Sequence, residues 1–281
     1  MGRLARIGAI AASAVAATAG VQFIAMPTSG AAPCPDAEVV FARGTTELPG
    51  PGPTGEAFVD ALRTRVGGKS VGVYAVDYPA TMAFSTAVQG IADARSHILA
   101  TAANCPKSKL VLGGFSQGAA VMGFVTASVV PEGVSASDVP APMPPEVADH
   151  VAAVTLFGKP STRFMSAIND PDIVVGPRYE AKAIEFCVDN DLVCDPRGRS
   201  LSAHNEYTDA GLVDQGAAFA AQRLQAMWAT DAAAEAAEAA PGASGPAPTQ
   251  LQPIGPPPGP LTGPLPGPAP LPPLSALAYP S

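Results

Sequence analysis

The run Leu110-Val111-Leu112-Gly113-Gly114-Phe115-Ser116-Gln117-Gly118 constrains this chain more than any other segment. Its first half is apolar and reads as a buried strand. From Ser116 to Val130 the residues are small and apolar, as in a buried helix. Between the two stands Gly114-x-Ser116-x-Gly118. A serine at this spacing sits on a strained turn from strand to helix, with its hydroxyl aimed away from the sheet. The positions two before and two after it are crowded by the turn, so glycine is needed at both. The helix that follows points free N–H groups at the place where an oxyanion would develop.

The segments around this motif alternate between strand and helix patterns. Apolar, β-rich runs at Ala37–Ala42, Val71–Val76, Lys109–Phe115, Val151–Phe157 and Ala181–Val188 predict strands. Helical spacing predicts helices over Glu56–Val66, around Val88 to Leu99, over Ser116–Val130 and over Gln215–Met227. Such alternation implies crossover connections and a mostly parallel sheet covered on both faces. The expected fold class is therefore α/β: a three-layer α/β/α sandwich around a five-stranded, mostly parallel sheet. No insertion is long enough to form a large lid.

Composition narrows the setting. The chain has 281 residues, 47% of them hydrophobic, enough for one sizeable core. A formal net charge of -8 without Lys/Arg runs excludes a nucleic-acid footprint, and it makes any lipid contact an apolar one. Residues 1–31 read as an export signal. Arg3 and Arg6 precede an apolar stretch from Ile7 to about Met26, and Ser29-Gly30-Ala31 offers a small-x-small cleavage site. Secretion to the cell exterior or wall follows, with no stable membrane insertion after cleavage. Residues 32–230 form the expected catalytic domain. Residues 231–281 start Ala/Glu-rich and end with 15 Pro among the 41 residues from Pro241 to Ser281, a composition suited to an extended spacer or docking tail.

The cysteines agree with export. Cys34, Cys105, Cys187 and Cys194 allow three pairings; Cys187 and Cys194 are near enough in sequence to staple a short loop, which would leave Cys34 to close a long one with Cys105. No CxxC pair occurs, and the three histidines lie far apart, so no metal or other cofactor is expected.

A serine hydroxyl at its ordinary pKa is a weak nucleophile and needs a base. Behind a nucleophile elbow the order is Ser, then Asp or Glu, then His. His204 is the one histidine late enough in the chain, in a polar loop before the last helix; His150 opens a strand, and His97 is expected to face out of its helix. The acid candidates are Asp189, Asp191 and Asp195, with Asp170 and Asp172 earlier. The residues themselves do not choose between Asp189 and Asp191, both inside the Cys187–Cys194 segment. Pro79, Met82 and Phe84 form a small apolar set suited to the mouth of a cleft.

Taken together, the Gly114-Phe115-Ser116-Gln117-Gly118 elbow, Phe41-Ala42-Arg43-Gly44-Thr45, Cys187-x-x-x-Asp191-x-x-Cys194 and His204 resemble the cutinase family. The resemblance spans about Cys34 to Leu224 and is strongest to cutinase-like secreted proteins of mycobacteria, through Val73-Tyr74-Ala75-Val76 and Ala148-Asp149-His150-Val151-Ala152-Ala153-Val154. It implies a catalytic triad of Ser116, Asp191 and His204. It also implies an oxyanion hole from Thr45 and the N–H of Gln117, and disulfides Cys34–Cys105 and Cys187–Cys194. Thr45 stands where the family often has Ser. The implied activity is hydrolysis of short- to medium-chain fatty-acid esters by a monomer. Lipase, phospholipase, thioesterase and acyltransferase chemistry use the same triad, and a non-catalytic wall protein is the reading from outside enzymology.

Overall fold

A computed structural model describes residues 33–239. The leader expected over 1–31 and the Pro-rich part of the tail lie outside the described residues. Residues through Ala234 belong to one compact unit, and a second begins at Glu235.

The sheet has strands β1 (Ala37–Ala42), β2 (Val71–Ala75), β3 (Lys109–Phe115), β4 (Val151–Phe157) and β5 (Ala183–Phe186). They run in the order β2-β1-β3-β4-β5 and every pairing is parallel. β3 and β4 are buried along their whole length, which is why they read as continuous apolar runs, whereas β2 and β5 are edges and partly exposed.

Alternate residues of each strand serve opposite faces. Val40, Leu112 and Val154 belong to a core that includes Ala94 and Ile98 of helix α2 (Ala87–Asn104) and Val121 and Met122 of helix α3 (Gln117–Val125). Val39, Phe41 and Phe157 join a second core with Phe58 and Leu62 of helix α1 (Gly52–Arg63) and Ala217 and Leu224 of helix α6 (Leu212–Ala239). Rings link this second core: Phe41 to Phe58 at 6.0 Å, Phe58 to Phe157 at 5.8 Å and Phe157 to Phe186 at 5.4 Å. Two short helices, α4 (Thr162–Ala167) and α5 (Pro177–Glu180), sit in the connection between β4 and β5. Among the described residues no helix is long and apolar enough to cross a membrane.

The architecture is the one expected, and the boundaries shift for local reasons. β5 is shorter than Ala181–Val188 because Lys182 N–H closes onto Tyr179 at the end of α5, while the chain beyond Phe186 turns into a disulfide loop. α3 stops at Val125 rather than Val130. The Thr126 hydroxyl bonds back to the carbonyls of Met122 and Gly123, and its own carbonyl accepts from Gly176 N–H. α6 runs from Leu212 to Ala239, well past Met227, through the Ala/Glu-rich segment. His97 departs from expectation: its ring stacks on Tyr74 at 3.5 Å and Nε2 lies 2.9 Å from Glu38 Oε2, so it is a half-buried partner of the edge strand rather than an outward residue.

Two disulfides, Cys34–Cys105 and Cys187–Cys194, leave no free cysteine among the described residues. They close loops of very different size, with sequence separations of 71 and 7. Chain-entropy scaling assigns about 4.4 kcal/mol to the first and about 2.4 kcal/mol to the second. Replacing Cys34 and Cys105 together by Ala is therefore expected to lower the unfolding free energy more than replacing Cys187 and Cys194, by roughly 2 kcal/mol in denaturant titrations.

Candidate active site

Ser116 occupies the sharp bend between β3 and α3 with φ 55 and ψ -118, a conformation non-glycine residues rarely adopt and one that costs on the order of 1–3 kcal/mol. Its N–H donates to Phe157 at 2.9 Å and its carbonyl accepts from Ala120 N–H at 3.1 Å, so the bend is pinned to both β4 and α3. The flanking glycines have a steric cause. A Cβ on Gly114 would lie 2.3 Å from the Gly118 carbonyl oxygen, and one on Gly118 would lie 1.9 Å from that of Ala42. No side chain caps α3, so its first-turn N–H groups, that of Gln117 among them, have no side-chain acceptor. Ser116 is 8% exposed, a recessed position rather than a prominent one.

The loop after β1 is tied down beside this helix terminus. Arg43 is buried; its guanidinium donates to the carbonyls of Val76 (3.2 Å), Tyr78 (2.5 Å) and Glu47 (2.9 Å), and the Tyr78 hydroxyl donates to the Arg43 carbonyl at 2.5 Å. Gly44 N–H donates to Glu47 Oε2 at 2.6 Å and Thr46 N–H to Ala80 at 2.6 Å, which holds Thr45 from both sides. Burial raises the Glu47 carboxyl above its usual range, against the Gly44 N–H bond and the charges of Arg43 and His204. Gln117 is fully buried, its amide nitrogen donating to the Thr81 carbonyl at 3.0 Å.

His204 lies in a short turn at Ala203–Asn205. Its ring stacks on Phe115, the neighbour of Ser116, at 4.9 Å, and Nδ1 is 2.7 Å from Asp191 Oδ2. Nε2 is buried and has no hydrogen-bond partner among the described residues. Gly158 gives the ring room: a Cβ there would come 2.8 Å from its Cε1. Asp191 is fully buried and accepts two further bonds, from the Tyr207 hydroxyl to Oδ2 at 2.6 Å and from Val193 N–H to Oδ1 at 2.7 Å. Burial alone would raise its pKa, but the bonds from His204, Tyr207 and Val193 outweigh it and hold the carboxyl below the ordinary range.

Among the candidate carboxylates, Asp191 is the one brought to His204. Asp189 and Asp172 are exposed, Asp195 accepts the N–H groups of Asn190 and Arg197 within its own loop, and Asp170 is half-buried elsewhere, in the β4–β5 connection. His150 precedes β4 while Gly158 follows it, so about 23 Å of strand separates His150 from the site. Cys187, Asp191 and Cys194 are close enough to suggest a metal cluster, but both sulfurs are spent in a disulfide. Pro79 is exposed, Met82 is 79% exposed and Phe84 rests on Phe164 at 6.0 Å. Tyr207 is the residue that sequence reasoning missed; the available signal was a phenol three residues after the histidine.

Known proteins share this plan. The sequence profile of a family described as Cutinase matches residues 33–224. The chain is 62% identical over 174 residues to the "Probable carboxylesterase Culp5" of Mycobacterium tuberculosis (strain ATCC 25618 / H37Rv), covering 62% of this chain and 99% of that one. It is 42% identical over 226 residues to the phospholipase Culp4 of the same organism, covering 79% and 94%. A solved Trichoderma reesei cutinase bound to a C11Y4 phosphonate inhibitor superposes with a TM-score of 0.52 at 29% identity, over 68% of this chain and 78% of that one.

The Tyr207 bond has a testable signature. A hydrogen bond to a buried carboxylate contributes about 1.5–3 kcal/mol, and a depressed carboxyl pKa adds stability above the unfolded value that is lost as pH falls through the folded one. Tyr207→Phe is expected to unfold about 2 kcal/mol more easily at pH 7, with the gap to the parent narrowing below about pH 4; a gap independent of pH would contradict the assignment.

Proposed function

Because the chain belongs to the cutinase family and is a carboxylic ester hydrolase, we propose that it is a secreted esterase working through an acyl-enzyme on Ser116. The observation that carries this reading is the imidazole of His204. Asp191 holds it at Nδ1, it stacks on Phe115, the residue before the elbow serine, and its Nε2 makes no hydrogen bond among the described residues.

In this reading the Ser116 hydroxyl oxygen attacks the ester carbonyl while His204 Nε2 takes its proton. The imidazolium donates Nδ1–H to Asp191, whose charge is kept in place by Tyr207 and Val193. Gln117 N–H and Thr45 receive the developing oxyanion, each donor contributing about 3 kcal/mol. The C–O bond to the alcohol then breaks, His204 returns the proton to the leaving alcohol, and the acyl group remains on Ser116. Water, deprotonated by His204, attacks the acyl-enzyme and releases the acid. Arg43 and Glu47 act as positioning residues that hold the Thr45 loop over the start of α3.

Fatty-acid esters of short to medium length suit the exposed Met82 and the half-buried Phe84 near the Thr81–Gln117 contact. A phospholipid substrate is the second reading, favoured by the phospholipase named among the relatives. Secretion is supported by Arg3, Arg6 and the apolar stretch after them, and by two disulfides of the kind formed in oxidising compartments.

Ser116→Ala is expected to lower hydrolysis of p-nitrophenyl butyrate by a factor on the order of 10⁵ or more and to abolish labelling by a fluorophosphonate probe, with unchanged unfolding behaviour. Hydrolysis at the parent rate would overturn the assignment.

A further inference from the structure

A cavity of about 250 Å³ opens beside α3, walled by the start of α2, the outer face of α3 and the loop that follows it. It does not include Ser116 or His204, yet it shares two elements with them. Ala120, which lines it, is the residue whose N–H bonds the Ser116 carbonyl, one helical turn or about 6 Å along the axis. Phe84, on the near wall, belongs to the same loop as Thr81, whose carbonyl is held by the Gln117 side chain.

The lining has one chemical character. Val88 and Ile91 of α2 face Phe124 of α3 and Val130 of the following loop, and all four are left partly exposed by the protein's own packing. Pro131, Pro140 and Pro142 fix the backbone of the far wall, so the space is preformed. No Lys, Arg or His lines it; the charged residues there are Asp138 and Asp170. A nucleotide, a phosphate or a free carboxylate would meet like charge and find no cation. An uncharged hydrocarbon chain meets no such cost.

We propose that this cavity takes the distal part of the substrate's acyl chain, so that the enzyme prefers neutral esters at the medium-chain end of its range over butyrates. This rests on the esterase reading of Ser116. At about the 30 Å³ that one water takes up in the liquid, the cavity has room for about eight groups of that size. Each methylene moved from water into such a space favours binding roughly fourfold.

The test uses the full chain and its Val88→Trp and Val130→Trp variants, which fill the cavity from two different walls and leave the triad untouched. For the parent, kcat/KM on p-nitrophenyl esters below their micelle concentrations is expected to climb at least tenfold from butyrate to decanoate. Both variants should keep butyrate activity within twofold and lose that climb. In parallel, 1-dodecanol binding is measured by calorimetry on Ser116→Ala and on Ser116→Ala combined with each tryptophan, where a loss of affinity of tenfold or more is expected. Variants that retain the parental chain-length profile and dodecanol affinity overturn the cavity assignment while ester hydrolysis stands. A parent that hydrolyses no ester and takes no fluorophosphonate label removes the esterase reading instead, and dodecanol binding then decides by itself whether the cavity holds an alkyl chain.

Discussion

The first turn of α3 lies against the end of β1 so closely that the Ala42 carbonyl occupies the space where a side chain at position 118 would begin. Much of the site depends on this contact. With α3 set that low, the chain leaving β3 must reverse within one residue, and Ser116 takes a left-handed φ to do so. The same approach brings the helix N-terminus level with the Arg43-Gly44-Thr45 loop. The strain at Ser116 persists because its N–H and carbonyl are bonded to β4 and α3 and because β3 is buried on both faces, so relaxing the bend would disturb the centre of the sheet.

A second constraint is electrostatic. Asp191 has no solvent exposure, and an unpaired carboxylate there would be costly. Three donors on its two oxygens resolve the cost, and each comes from a different part of the loop region: His204 and Tyr207 after it, and Val193 within it. The Cys187–Cys194 bond and the Asp191–Ser200 bridge hold the carboxylate still while these donors converge. The imidazole is consequently oriented by its Nδ1 side, and its Nε2 makes no hydrogen bond among the described residues. Tyr207 belongs to this arrangement as much as the histidine does, since it shares the same carboxylate oxygen.

The two faces of the sheet carry different duties. The Phe41–Phe58–Phe157–Phe186 side is filled by a chain of ring contacts and by α6. The α2 and α3 side has no buried phenylalanine in its core and leaves an apolar hollow beside α3.

The sequence alone was enough to specify the α/β layers and the elbow, and to single out Ser116 and His204 as candidates. The signals were β-rich apolar runs, 3.6 patterning, glycines at a crowded turn, and a single histidine at the right point in chain order. The carboxylate that meets His204 was not a local signal. Asp189 and Asp191 differ only in which one the disulfide loop turns inward, and it took the resemblance to a known family to favour one before the coordinates placed Asp191 on His204. Tyr207 and the orientation of His97 were invisible for the same reason, since Tyr207 acts on Asp191 across 16 positions and His97 on Glu38 across 59. Only the tertiary structure decided them, because hydrogen bonds and ring stacking depend on where side chains meet in space, and a sequence pattern records only which face of its own element a residue occupies.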